Sequence, residues 1–323
     1  MKKKLKLLVI PMSIILLFLL INVTGCIQTN EVITFGSYPQ SRVTDEYILN
    51  KLSAYNDYTS WTPYPYYYDG KLQNYMYYKD VEILNQKYRG VFFELYRPYD
   101  ANSGDTSGYH LKTHYDTRSY YWFKYEPIRW HIVEEDSSYA TLVCEVILDS
   151  QAFQNKAETN SQDYAFIPGT NYYANNYKES TINTWLNTDF YSTAFDDKEK
   201  TLIQPTLLDN GEDSTYYEID DFYLCETFLA NIYLLSTAEM IALLTPATRE
   251  KYPTDYAVCQ GLEDNMWWLR SPSDWSSSYA QTCEDKFYAF KLSGHIWANV
   301  NNTTIGVVPA LRINMAGYRG AYQ

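Results

Sequence analysis

Asn231-Ile232-Tyr233-Leu234-Leu235-Ser236-Thr237-Ala238-Glu239 is the stretch that decides the fold class. Ile232 to Leu235 is a short apolar run without a breaker, the signature of a buried strand. Ser236 followed three residues later by Glu239 is a capping box, in which each side chain satisfies the other residue's backbone N–H. A strand therefore runs directly into a helix, which stops before Pro246. Upstream, Ser180 caps a helix whose Ile182, Trp185, Leu186 and Phe190 share one face. Asp196 with Glu199 opens another, ended by Pro205. Earlier still, Ile128, Trp130 and Ile132 alternate with Arg129, His131 and Val133, and the chain turns at 135–138. It returns over Tyr139 to Ile147 as the second arm of a hairpin. Downstream, Trp267 to Arg270 leads into strand and turn. Phe287 to Leu292 and His295 to Val300 flank a Ser293-Gly294 turn, and Gly306 to Ile313 closes the chain. With Val32 to Phe35 at the other end, antiparallel strands at both termini enclose a few helices, which is an α+β order.

The first residues concern location. Lys2, Lys3, Lys4 and Lys6 precede an apolar run to Ile21, interrupted by Pro11, and Val23-Thr24-Gly25-Cys26 follows. That is the n-region, h-region and small-residue cleavage site of a secretory leader. The apolar core is short for a spanning helix, which needs about 20 residues. The leader resembles that of bacterial lipoproteins, which implies a signal peptide over 1–25 and acyl chains, palmitate among them, on Cys26. Residues 26–30 then form a short tether and 31–323 a single domain on the outer side of the membrane. The whole chain carries a formal charge of −13, and removal of the lysine-bearing leader makes the remainder more acidic. This sign disfavours nucleic acid as a partner and leaves neutral or cationic ligands such as glycans.

From about 43 to 121 the texture changes. Tyrosine, 35 in the whole chain, is concentrated here in runs such as Tyr64-Pro65-Tyr66-Tyr67-Tyr68 and Tyr75-Met76-Tyr77-Tyr78. Disordered segments are poor in aromatics, so the stretch reads as an insertion ordered by ring packing, with a helix expected over Val81 to Gly90. Besides Cys26, Cys144 has the parity of a core strand position, and Cys225, Cys259 and Cys283 lack zinc-site spacing. A Cys259–Cys283 bridge is among the pairings left open.

Six blocks occur in order: Phe35-Gly36-Ser37-Tyr38-Pro39-Gln40, Pro127-Ile128-Arg129-Trp130, Ser180 to Asn187, Ile232 to Glu239, Trp267-Trp268-Leu269-Arg270-Ser271-Pro272 and Gly306-Val307-Val308-Pro309-Ala310-Leu311. Together they resemble the uncharacterised bacterial domain-of-unknown-function family 6273. Val308 stands where that family has Arg. More distantly, the order is similar to the C-type-lectin-like fold shared with formylglycine-generating enzymes, which implies a lectin-like mixed domain but no activity. The oxidase of that fold needs a closely spaced Cys pair near its C-terminus, whereas Cys283 stands alone. The EPN, QPD and WND motifs of calcium-dependent lectins are absent.

No catalytic constellation emerges, and neither a metal nor a cofactor is expected. His110 and His114 lie four apart without the Glu of H-E-x-x-H, in loop-like surroundings. His131 falls on the outer face of its strand. Asp209-Asn210-Gly211-Glu212-Asp213 reads as a turn more readily than as a calcium loop. The ligand candidates are Trp267, Trp268, Arg270, Ser271 and Trp275: strand alternation puts one of the adjacent tryptophans outward, where ring and guanidinium would stack on a sugar or clamp a carboxylate. Internal packing of both tryptophans, with Arg270 paired to an acid, is the competing reading. The expectation is a lipid-anchored extracytoplasmic domain that binds a glycan or surface protein. Two alternatives stay open: a glycan-acting enzyme using Asp220, Asp221 or Glu263, and a scaffold within an envelope complex.

Overall fold

The computed structural model describes residues 31–68, 70–95, 115–215, 223–273, 275–284 and 297–322. The leader, Cys26 and the tether, His110, His114, Asp220, Asp221 and most of the expected 287–300 hairpin lie outside these residues. Among the described residues no helix is long and apolar enough to cross a membrane.

The architecture is α+β: among the described residues two large, mainly antiparallel sheets and two two-stranded ones combine with short helices. The larger sheet has nine strands. It includes β1 (Val32–Arg42), β2 (Thr62–Tyr68), β3 (Lys71–Ile83), β4 (Gln86–Phe93), β5 (Tyr120–Glu135) and β6 (Tyr139–Cys144). β5 is the spine: its first half pairs with β4, its last third with β6, and β1 with its middle. The strand Ala310–Asn314 adds to β6, and Ile203–Gln204 and Ile232–Tyr233 both pair with that strand. The smaller, five-stranded sheet runs Trp297–Asn299, Tyr279–Cys283, Trp267–Pro272, Gly306–Val307 and Asp149–Ser150.

The expected hairpin at 128–147 is present, with Trp130 opposite Cys144, and Ile128, Trp130 and Ile132 are fully buried. A register shift after Ile132 turns Val133 inward as well. Ser180 caps the helix Thr181–Trp185. Reciprocal capping boxes open Asp197–Leu202 and Thr237–Leu243, as their Asp196/Glu199 and Ser236/Glu239 spacings require.

The helix expected over Val81 to Gly90 is not formed: this stretch is the β3–β4 hairpin, Ile83 opposite Gln86. Leu84 and Asn85, at φ +51° and +60°, form the two-residue left-handed turn whose twist suits a hairpin. Leu84 is 63% exposed and gains little from packing there. Leu84→Asn should therefore raise stability by about 1 kcal/mol, because Asn tolerates the left-handed region that costs a branched side chain about that much. A urea midpoint unchanged or lowered would contradict this.

The Tyr-rich residues build β2, β3 and β4 of the large sheet, their faces alternating apart from a register shift between Tyr66 and Tyr67. Met76, Val91, Phe93, Tyr121, Phe123 and Tyr125 face the main core, whereas Val81, Tyr88, Phe92 and Trp122 face a second cluster with Leu52 and Trp61. Helix α1 (Glu46–Leu52) supplies part of that second cover. Ring geometry completes it: Tyr58 stacks on Phe92 at 4.2 Å, and Trp61 meets Trp122 edge-on at 5.4 Å.

Candidate functional site

The WWLRSP strand is interior. Trp267 and Trp268 are both fully buried, and Arg270 and Ser271 are 2% exposed, so the expectation of one outward tryptophan is corrected. The cause is layering: the smaller sheet is covered on both faces, so alternation sends the two rings into different parts of one core. Trp267 donates from Nε1 to Arg249 O at 3.2 Å, and Trp268 to Gln151 O at 2.8 Å. Arg270 pairs with Glu239 and donates to Leu234 O, Asp209 O and Asn210 Oδ1. Ser271 Oγ accepts the Thr237 N–H at 2.9 Å. Of the five candidates only Trp275 is open to solvent, 67% exposed and packed against Tyr279 and Trp297.

The other sequence candidates also take structural positions. Asp209 Oδ1 accepts the Gly211 N–H at 2.8 Å, closing a turn. Among the described residues no three His, Cys, Asp or Glu side chains converge as metal ligands would. Cys259 and Cys283 are unbridged. Cys144, Cys259 and Cys283 are buried thiols and Cys225 is half-buried. Burial pushes Cys144 and Cys283 each up to about 12, so neither is a ready thiolate. His131 is half-buried, and burial with the nearby Lys251 lowers its pKa. Val308, at the position where the resembling family has Arg, is fully buried.

What the sequence did not single out is a cleft between the β2–β4 face and the helical segment 181–190. Its inner part has a volume of about 190 Å³ and its outer part about 460 Å³. The two share Tyr64, Tyr78, Gln151, Trp185, Asp189 and Gln260, so they form one continuous depression. Asp149 lies on the inner floor at the end of the buried Ile147-Leu148 run, 2% exposed. It accepts three hydrogen bonds: from the Tyr38 hydroxyl at 2.6 Å, from its neighbour Ser150 N–H at 2.7 Å and from Gln151 Nε2 at 3.0 Å. Burial pushes the carboxyl up to about 6, although these donors and Arg89 pull the other way.

Each wall follows from a local cause. In β1 the Phe35-Gly36 irregularity shifts the register between Thr34 and Ser37, and Tyr38 then reaches the floor. Trp268 fixes Gln151 from behind through its backbone carbonyl, so the WWLRSP block supports the cleft without lining it. Asp189 sits in the π-helical turn Leu186–Phe190 that continues the Ser180-capped helix, the kind of irregularity that re-aims side chains at sites. Arg89 also lines the inner part, but Asp80 holds it through two 2.8 Å contacts, and its guanidinium lies 4.7 Å from the Tyr78 ring centre. Burial opposes ionisation of Asp80, yet Arg89 keeps that carboxyl below its ordinary range. Chemically, the depression offers ring faces, amide and hydroxyl groups, and one buried carboxyl. Sequence signals for it existed in Tyr38 of the FGSYPQ block and in Trp185 of the STINTWLN helix, but both read equally well as core.

No curated protein and no solved structure matches the chain. Residues 162–315 match the model of the family described as Domain of unknown function (DUF6273), a span that carries Trp185, Asp189 and Gln260 of the cleft while Tyr38, Tyr64, Arg89 and Asp149 precede it.

Proposed function

We propose that the protein is a lipid-anchored extracytoplasmic binding domain, C-type-lectin-like in kind, that recognises a glycan in the Tyr64–Trp185 cleft. The observation that carries this reading is the lining itself. Tyr38, Tyr64, Tyr78, Trp185 and Tyr256 surround hydrogen-bonding groups at a concave floor, the combination that suits a ligand with apolar ring faces and a polar rim. The acidic balance of the chain favours neutral or cationic ligands over anionic ones. The lipoprotein-like leader supports anchoring at Cys26, where two acyl chains hold a protein far more firmly than one.

A titration of the full chain with neutral β-linked oligosaccharides tests recognition. Trp185→Ala and Tyr64→Ala should each weaken binding about fivefold, since a well-placed aromatic contact contributes on the order of 1 kcal/mol. Trp275→Ala, exposed but outside the cleft lining, should leave it unchanged. In the same preparation Cys26→Ser should move the protein from the membrane fraction to the soluble one. A glycan array without a binder rejects the recognition half; membrane retention of Cys26→Ser rejects the anchor.

A second reading has its own observation. Asp149 and Asp189 line the same cleft, one buried with a raised pKa and the other exposed, the split environment in which one carboxyl acts as acid and the other as base or nucleophile. Hydrolysis would release new reducing ends from an oligosaccharide, faster below about pH 6 where Asp149 is protonated, and Asp149→Asn would abolish it.

A further inference from the structure

Only three charged side chains line the cleft among the described residues: Arg89, Asp149 and Asp189. Arg89 donates from Nε and Nη2 to the two Asp80 oxygens, and the Tyr78 and Tyr125 rings lie within 4.7 and 5.7 Å of its guanidinium. Asp80 thus holds the cation in place, and although Arg89 still favours the ionised form of Asp149, two carboxyl groups against one cation line a space walled by Tyr38, Tyr64, Tyr78, Trp185 and Tyr256. Ring faces in this wall already favour a cation, as Tyr78 does the Arg89 guanidinium. One further wall residue, Thr303, is 7% exposed, and its hydroxyl has no hydrogen-bond partner among the described residues.

Resting on the glycan reading above, we infer that the cleft selects a glycan bearing a free amine, a de-N-acetylated amino sugar, over its acetylated counterpart. The ammonium is placed against Asp149 on the inner floor, its ring against Trp185 or Tyr64, and Asp189 at the opening adds attraction. Asp149 already receives Tyr38, Ser150 N–H and Gln151 on its two oxygens, so it is oriented before a ligand arrives. An acetylated nitrogen has no charge to offer and keeps a single N–H where the ammonium has three, so it gains less from a carboxylate.

The groups facing Asp149 are Tyr38 on β1, Tyr64 on β2, Tyr78 on β3, Arg89 on β4, Asp189 on the π turn and Tyr256 on the helix Asp255–Gln260. Burial raises the pKa of Tyr38, Tyr64 and Tyr256, so those hydroxyls stay neutral near pH 7. Asp149 is anionic above about 6 and neutral below it, so amine binding should strengthen on going from about pH 5 to about pH 7. This slope is opposite to that of an enzyme using Asp149 as acid.

The test is calorimetric titration of the purified full chain with a β-1,4-linked glucosamine tetramer and with the N-acetylglucosamine tetramer. The expected result is about tenfold tighter binding of the amine form near pH 7, equivalent to about 1.4 kcal/mol. That preference should fall several-fold near pH 5 and in Asp149→Asn, and an unchanged preference in a folded Asp149→Asn overturns the inference. Should Asp149→Asn not fold, Asp189→Asn at the exposed opening reduces the preference, and the unmodified chain still supplies the two-ligand comparison. Equal or tighter binding of the acetylated tetramer overturns this inference and leaves glycan recognition standing. Failure of both tetramers to bind overturns both.

Discussion

Arg270→Ala is expected to destabilise the protein by about 3 kcal/mol, toward the lower end for a broken buried ion pair. The guanidinium side chain is 1% exposed and every edge is used. Nε donates to Asn210 Oδ1 at 2.9 Å, the Nη atoms reach Leu234 O at 3.0 Å and Asp209 O at 2.9 Å, and both engage the Glu239 carboxylate, one at 2.7 Å. Truncation leaves two backbone carbonyls, the Asn210 amide oxygen and a carboxylate without the Arg270 donor. Glu239 is 33% exposed and recovers part of its hydration, which keeps the loss below the full value for an enclosed charge. Its carboxylate also closes the capping box through the Ser236 N–H at 3.0 Å, so the start of the following helix should loosen as well. Arg270→Lys should recover only part, because a single ammonium cannot match the planar fork. Urea unfolding of the three proteins measures this. An alanine variant with an unshifted midpoint would mean that the pair contributes nothing to the fold.

Gly36→Ala is expected to cost about 3 kcal/mol, combining the left-handed penalty of about 1–2 with overpacking of about 1–3 kcal/mol. Gly36 has φ +74°. A Cβ there would lie 2.6 Å from Phe195 Cε1 and 2.8 Å from the Ala194 carbonyl oxygen. Phe195 is wedged against Phe35, Trp130 and Phe190, so it has nowhere to move. The Gly36 N–H donates to Glu199 Oε1 at 2.9 Å, while the other Glu199 oxygen caps its own helix, so the shift would travel to that helix start. Because Tyr38 follows two residues later, ligand binding should weaken alongside stability. Thermal melts paired with the oligosaccharide titration would show both changes; a variant as stable as its parent would refute the packing argument.

Local order could be read from residues close in the chain. Ser180, Asp196 and Ser236 cap their helices as their spacings demand, and the 128–147 hairpin falls where alternation puts it. The helix read over Val81 to Gly90 failed because a left-handed turn at Leu84-Asn85 has no Gly to announce it. The outward tryptophan failed for a different reason. Alternation tells which side of a strand a residue takes, but not whether a second layer covers that side, and here both sides are covered.

Composition, the order of the six blocks and the capping pairs settle the α+β class, because each depends on neighbours within a few residues or on totals along the chain. The cleft could be decided only in three dimensions. Its walls come from positions 38, 64, 89, 149, 185 and 256, which no local periodicity links, and the raised pKa of Asp149 arises from burial under segments remote in sequence. Solvent exclusion and charge environment are properties of the packed layers, so the same Asp, Tyr and Trp read one way along the chain and another once β1, β2–β4 and the Trp185 helix enclose them.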